Sequence, residues 1–295
     1  MTIIAQIQGG LGNQLFQYAA GRALAVKLRE RLVLDRQWFE RPQAGTTQRA
    51  FLLDQMNVKG EIQVLNPLKL NFGRFDKLLQ TLLPINPYIY KEKNEFSFQP
   101  HFGKGRLYPD QDLYLMGYWQ SFRYFEKIRP LILEETSFRF KLSPHYQSYL
   151  NQIMYATLPV MVHIRRGDYV NVNSVNRIHG LLSLDYYKQA MLKLVRSQKN
   201  IQFFIFSDDI EWVKANLPTC GDAVFVENID EYNSAAQELQ LMRACHNFII
   251  ANSSLSWWGA WLGVHPKKQV IAPSQWLASD LWSSEDLFPH SWVRL

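Results

Sequence analysis

Two arginines stand side by side directly after the apolar run Val160 to Ile164, within His163-Ile164-Arg165-Arg166-Gly167-Asp168-Tyr169. Guanidinium groups bind phosphate oxygens bidentately and keep their charge at any working pH, so this pair at a strand end suits a diphosphate. Gly167 would let the backbone approach a ligand closely. Asp168 can hold one arginine in place or accept from a ligand hydroxyl. The cluster also fits a buried Arg–Asp pair that orients a loop, with His163 a satisfied core histidine.

A second constellation, Asn252-Ser253-Ser254-Leu255-Ser256-Trp257-Trp258-Gly259, follows the apolar run Phe248 to Ala251. The free N–H groups and positive dipole end of a helix starting there would attract an anion. Capping needs one serine, and here three stand with an asparagine. Trp257 and Trp258 are expected as core beneath that helix. Both clusters fall at strand ends of one expected sheet, which predicts a phosphate site.

The opening Gly9-Gly10-Leu11-Gly12-Asn13-Gln14 invites a dinucleotide reading, with Asp35 ending the next strand about where a ribose-binding acid belongs. Leu15, however, holds the place of the third glycine, where close helix–strand packing asks for Gly or Ala. Otherwise the glycines let Asn13 and Gln14, at a helix N-terminus, face a cleft. Asp110-Gln111-Asp112 matches an Asp-x-Asp metal pattern but precedes a strand. Asp208-Asp209 follows one, so Asp208 either faces the ligand edge or caps a helix. No His/Cys/carboxylate cluster has ligand spacing, and neither a nucleophile elbow nor a P-loop occurs.

Elements that would position these residues can be read from periodicity. In the first half, strand Ile3 to Ile7, helix Asn13 to Arg29 and strand Arg31 to Asp35 form one βαβ unit. Residues 40 to 110 are harder to read. Leu70 to Leu83 predicts an amphipathic helix, core-facing or lying on a membrane surface. Leu113 to Met116 reads as a strand, and Ser121 to Leu133 as a helix.

The second half alternates strands at Val160 to Ile164, Gln202 to Phe206, Ala223 to Val226, Phe248 to Ala251 and Gln269 to Ala272 with helices between them. That predicts an α/β fold whose parallel sheet binds ligands at its carboxyl edge. The expected division is near residues 140 to 157, giving domains 1–150 and 151–295, with the last helix free to pack back on the first.

The 295 residues are 47% hydrophobic, which allows each half its own core. Lys+Arg 32 against Asp+Glu 26 gives +6 and favours an anionic partner such as a nucleotide or a lipid headgroup. No basic block interleaved with aromatics suggests nucleic acid. Cys220 and Cys245 lack metal-site spacing and suit a reducing compartment. No apolar run reaches the ~18 residues of a membrane span. With Met1 leading straight into a strand, the expectation is a bacterial, cytoplasmic enzyme, with peripheral membrane contact left open.

Three motifs in this order, Gly9 to Tyr18, His163 to Tyr169 and Ile250 through Trp261, resemble the bacterial α-1,2-fucosyltransferases over nearly the whole chain. The resemblance implies a GT-B-like fold, two Rossmann-like domains facing across a cleft, with the N-terminal one on the acceptor side. It implies inverting, metal-independent transfer from GDP-fucose to a galactose-containing glycan, with no separate cofactor. Arg165 then looks like the arginine that grips the β-phosphate and assists the leaving GDP. His163 resembles the residue beside the guanine nucleoside.

Glu238 matches an acidic position that contacts guanine in the related α-1,6 enzymes, although helical position alone makes it solvated surface. Ser253, Ser254 and Leu255 resemble the phosphate-contacting helix start. Gly10, Gly12, Asp208 and Asn252 join this donor-binding set. Asn13 matches an asparagine near the reacting centre and completes a catalytic set with Arg165 and Asp168. The α-1,6 relatives place a glutamate as base where this chain has Asn173, so the base is unassigned. Rival readings are a fucosyltransferase of another linkage, a lectin-like module and an NAD-dependent oxidoreductase.

Overall fold

Each half of the chain is built around a strand flanked on both sides by parallel neighbours. The computed structural model describes residues 1–40, 48–65, 87–94, 96–102, 111–167, 180–229, 231–278 and 284–295. In the first unit, β1 (Thr2–Gln6) pairs with β2 (Arg31–Asp35) and β5 (Leu113–Met116). With β3 (Glu61–Gln63) and β4 (Tyr88–Lys91) outside them, the order is β3-β2-β1-β5-β4, parallel throughout.

Helix α1 (Leu11–Leu28) returns the chain from β1 to β2, and Leu15, Phe16, Tyr18, Ala19 and Ala20 are all buried. Gly21 allows that closeness, because a Cβ there would stand 3.0 Å from the Ala5 side chain. Arg29, in the left-handed region at φ 60°, ends the helix. The buried Glu135 carboxylate ties α1 down by accepting from the Tyr18 hydroxyl at 2.6 Å and from Arg22 at 2.7 Å.

The helix expected over Ser121 to Leu133 is broken. Two 3₁₀ turns, Phe122–Tyr124 and Glu126–Ile128, precede α2 (Arg129–Glu135). Pro130 explains the break: it lacks an N–H, and its ring would strike the carbonyl of residue 126 in a continuous helix, whereas in α2 it occupies the first turn.

The second unit places β6 (Leu158–Ile164) between β7 (Ile201–Ser207) and β9 (Asn247–Ile249). With β8 (Asp222–Phe225), β10 (Val270–Ala272) and β11 (Val293–Arg294), the order is β11-β10-β9-β6-β7-β8, again parallel. Helices α3 (Pro144–Tyr155), α4 (Leu184–Ser197), α5 (Ile210–Asn216), α6 (Ser234–Ala244) and α7 (Ser254–Leu262) complete it. Val160, Val162, Phe203 and Ile205 pack against Tyr187, Met191 and Leu194 of α4. Truncating Phe203 to alanine in this core would cost about 3–5 kcal/mol.

The units comprise Met1–Ser137 with Ser283–Phe288, and Phe138–Trp282 with Pro289–Leu295. Residues 138–150, expected with the first domain, therefore belong to the second. The segment returning to the first unit carries a 3₁₀ turn, Glu285–Leu287, where a helix was expected. Among the described residues no helix is long and apolar enough to cross a membrane; the helix expected over Leu70 to Leu83 lies outside them.

Candidate active site

Sheets wound in both directions bind ligands beyond the carboxyl ends of the strands where the order reverses. In the second unit that point lies between β6 and β9, the strands preceding the arginine and serine clusters. Their register sets Val162 beside Ile249, so the chain leaves the two neighbouring strands toward Arg165 and toward Asn252.

The two arginines have different tasks. Register places Ile164 beside Ser207, and the next pair along, Arg165 and Asp208, forms an ion pair at 3.0 Å. The other Asp208 oxygen accepts from the Arg166 main-chain N–H at 2.8 Å. Arg166 instead bonds Asp209 at 3.2 Å and lies over the Trp212 ring, 3.3 Å from its centroid. Asp208 thus braces the arginine loop, and Asp209, not Asp208, stands at the N-cap of α5. Gly167 is there because a Cβ would come within 2.4 Å of an Asp208 carboxylate oxygen. Asp168 and Asn173 lie outside the described residues.

Two buried titratable groups share this field. His163, 3% exposed, is held down to a pKa of about 4, chiefly by burial, with Asp208 raising it and Arg165 lowering it. It is therefore neutral at working pH, and its Nδ1 is buried without a hydrogen-bond partner among the described residues. Glu238, which helical position alone would leave solvated, is 7% exposed on α6, as a donor-binding role would allow. Its carboxyl is pushed up to about 8 by burial and then by Asp208, against the pull of Arg165. No hydrogen bond satisfies that carboxyl among the described residues. Buried titratable groups shifted in the field of one guanidinium make this strand edge a candidate ligand site.

Across the switch point, Ser253 caps α7 in extended conformation without a side-chain cap bond. The hydroxyls of Ser253 and Ser254 and the amides of the first turn, Leu255 included, face no partner among the described residues. The third serine has a structural task, since the Ser256 hydroxyl accepts from the Ala251 N–H at 3.0 Å. Asn252 is buried and donates to the carbonyls of Gly180 and Trp276, each at 3.3 Å, so its amide braces loops. Trp257 and Trp258 are fully buried core, as expected.

In the first unit the order reverses between β1 and β5. Asn13, in the first turn of α1, accepts through Oδ1 from Gln120 Nε2, beyond β5, at 3.0 Å. Gly9, at φ +76°, makes room for it: a Cβ there would stand 3.0 Å from Asn13 Nδ2. Gly10 is the N-cap of α1 with open space where a Cβ would be, and Gly12 is buried in the first turn.

Gln14 does not face a cleft. It is fully buried, donating to the carbonyls of Gly9 at 2.9 Å and Ala50 at 2.7 Å and accepting from the Leu52 N–H. Asp35 accepts from the Tyr114 hydroxyl at 2.7 Å and from the N–H groups of Gln37 and Leu65, so both of its oxygens serve the buried interior of this unit. Asp112 accepts from the Thr2 N–H at 2.7 Å, and Asp110 lies outside the described residues. Among the described residues no three His, Cys, Asp or Glu side chains could hold a metal together.

Gln120 escaped the sequence reading; its available signal was position, four residues beyond the strand Leu113–Met116. Comparison with known proteins bears on what this arrangement serves. Residues 2–295 match the sequence profile of glycosyl transferase family 11. An alpha-1,2-colitosyltransferase of Escherichia coli is 32% identical, covering 99% of this chain and 98% of its own. The O-antigen biosynthesis glycosyltransferase WbnK of Escherichia coli is also 32% identical, covering 98% of this chain and 99% of its own. Among solved structures, NodZ alpha-1,6-fucosyltransferase soaked with GDP-fucose has TM-score 0.51 at 14% identity, covering 88% of this chain and 92% of its own. That likeness is one of fold, and with the two parallel sheets it identifies the GT-B class.

Proposed function

Because the chain belongs to glycosyl transferase family 11, we propose that it transfers L-fucose from GDP-fucose to a galactoside hydroxyl, forming an α-1,2 linkage with inversion. The observation that carries this reading is the β6/β9 switch point, to which the strands leading to Arg165 and to the open first turn of α7 both run. The family resemblance and the fold shared with a fucosyltransferase support the donor. The alpha-1,2-colitosyltransferase relative supports the linkage.

In the reaction the acceptor oxygen attacks the donor's anomeric carbon opposite GDP. The carbon–oxygen bond to the β-phosphate breaks with its electron pair going to GDP, and the hydroxyl proton passes to a base. Asp168 is the candidate base nearest in sequence. Negative charge grows on the β-phosphate, where Arg165, already fixed by Asp208, receives it without reorganising. First-turn amides of α7 add roughly half a positive charge, and the hydroxyls of Ser253 and Ser254 donate. Glu238, once ionised, accepts from guanine N1 and N2, and neutral His163 offers Nδ1 beside the nucleoside. Asp208 and Asn252 act at one remove, holding Arg165 and the α7 loop.

A second donor has a specific observation behind it, the full-length 32% identity to a colitosyltransferase. Colitose is fucose without its 3-hydroxyl. GDP release should be measured over several galactosides with GDP-fucose, GDP-colitose and other nucleotide sugars, followed by linkage analysis. Release from GDP-fucose with an α-1,2 product supports the first reading; release only from GDP-colitose replaces it with the second. No release from any nucleotide sugar overturns both.

A further inference from the structure

Strands β4 and β5 end side by side, and one side chain ties the loops that leave them. The Glu92 N–H continues the ladder to the Met116 carbonyl at 2.8 Å. Its carboxylate then accepts from the N–H groups of Tyr118 at 2.6 Å and Trp119 at 3.0 Å. Gly117 permits this contact, since a Cβ there would stand 2.4 Å from the Glu92 Cβ. Trp119 is held in the left-handed region at φ 56°, a conformation that a bulky side chain adopts only when its surroundings impose it. Those surroundings are the Glu92 carboxylate and the rings of Tyr90 and Phe102, which enclose an indole only 1% exposed. On the far side, the Ser121 hydroxyl donates to the Asp286 carbonyl at 2.7 Å.

The residue so placed between two fixed points is Gln120, and it delivers its amide to Asn13 at the β1/β5 switch point. The pairing uses Gln120 Nε2 and Asn13 Oδ1, and no further bond is made by Gln120 Oε1 or Asn13 Nδ2 among the described residues. One acceptor and one donor are therefore presented together. A sugar hydroxyl both donates and accepts, and neighbouring hydroxyls can answer the two amides at once.

We propose that the Asn13–Gln120 pair binds hydroxyls of the acceptor saccharide, and that Glu92 is its positioning residue, acting through Trp119 and Gln120. This rests on the glycosyltransferase reading above. Strain at Trp119 is relieved if Glu92 lets go, and the Gln120 amide then leaves Asn13.

The test compares wild type, Glu92→Gln, Gln120→Ala and the double variant, following GDP release with and without a galactoside. Gln120→Ala should raise acceptor KM about tenfold, the effect of one lost hydrogen bond, and by more than it lowers kcat. Glu92→Gln should raise acceptor KM in the same direction, and the double variant should do no worse than Gln120→Ala, because Glu92 works through Gln120. Additive effects, or a loss confined to kcat, would overturn the positioning role. An unchanged acceptor KM in Gln120→Ala would overturn the binding site, even where Glu92→Gln does not fold. Wild-type protein that releases GDP from no nucleotide sugar indicts the parent reading instead.

Discussion

The Arg165 guanidinium and the Asp208 carboxylate meet at 3.0 Å, and the second Asp208 oxygen holds the Arg166 amide at 2.8 Å. One carboxylate thus fixes both the charge and the backbone of the arginine loop, which makes the positive charge preorganised. Arg165→Ala is expected to lower turnover by ~10²-fold or more, the scale for removing a charge-stabilising donor from a transition state. Initial rates of GDP release at saturating donor decide it, and undiminished turnover would remove Arg165 from the mechanism.

Gly167 leads to a finer prediction. An added methyl would lie 2.4 Å from the Asp208 Oδ2 that Arg165 uses, so that carboxylate must move. Gly167→Ala should cost about tenfold in kcat/KM, less than losing Arg165, because the guanidinium survives but its aim does not. Circular dichroism should show the same fold. Wild-type kcat/KM would mean that Asp208 has slack that the structure does not show.

Glu238 gives a pH dependence whose sign can be worked out. Its carboxyl is pushed up to about 8, so the free protein is largely protonated there at neutral pH. A carboxylate accepting from guanine must be ionised, so binding favours proton release, and GDP affinity should rise with pH until it levels near 8. Glu238→Gln should bind GDP more weakly and lose that slope. Titration calorimetry from pH 6 to 9 checks both, and a slope that survives in the variant assigns the proton to another group.

Much of this was legible because the cues were local. Arg165 and Ser253 could be found from composition at a strand end, and β2 and β5 from short apolar runs. What escaped depended on distant partners. The register of β6 with β7 decides that Asp208 serves Arg165 and not a helix cap. Gln14, polar and at a helix start, is buried only because Gly9, Ala50 and Leu52 satisfy its whole amide. Glu238 carries no periodic sign of being buried, since α6 buries a run from Ala236 to Leu239. Strand β3, Glu61-Ile62-Gln63, has three exposed residues at a sheet edge and offers no alternation to detect. Helix α3 buries only Tyr146 and Ile153, too sparse a face to announce a helix ahead of β6.

The last prediction concerns metal removal. A diphosphate leaving group needs positive charge, and two designs supply it: a divalent cation on carboxylates, or fixed donors of the protein. Here the carboxylate suited to the first design is engaged elsewhere, because Asp112 takes the Thr2 N–H at 2.7 Å. The second design is the one proposed for the β6/β9 switch point, where Asp208 holds Arg165 and α7 begins without a side-chain cap. Turnover should therefore be unchanged after dialysis against excess EDTA, and added Mg²⁺ or Mn²⁺ should not raise it more than about twofold. A clear loss in EDTA, restored by one cation, would return the pair Asp110 and Asp112 to consideration and leave Arg165 a supporting part.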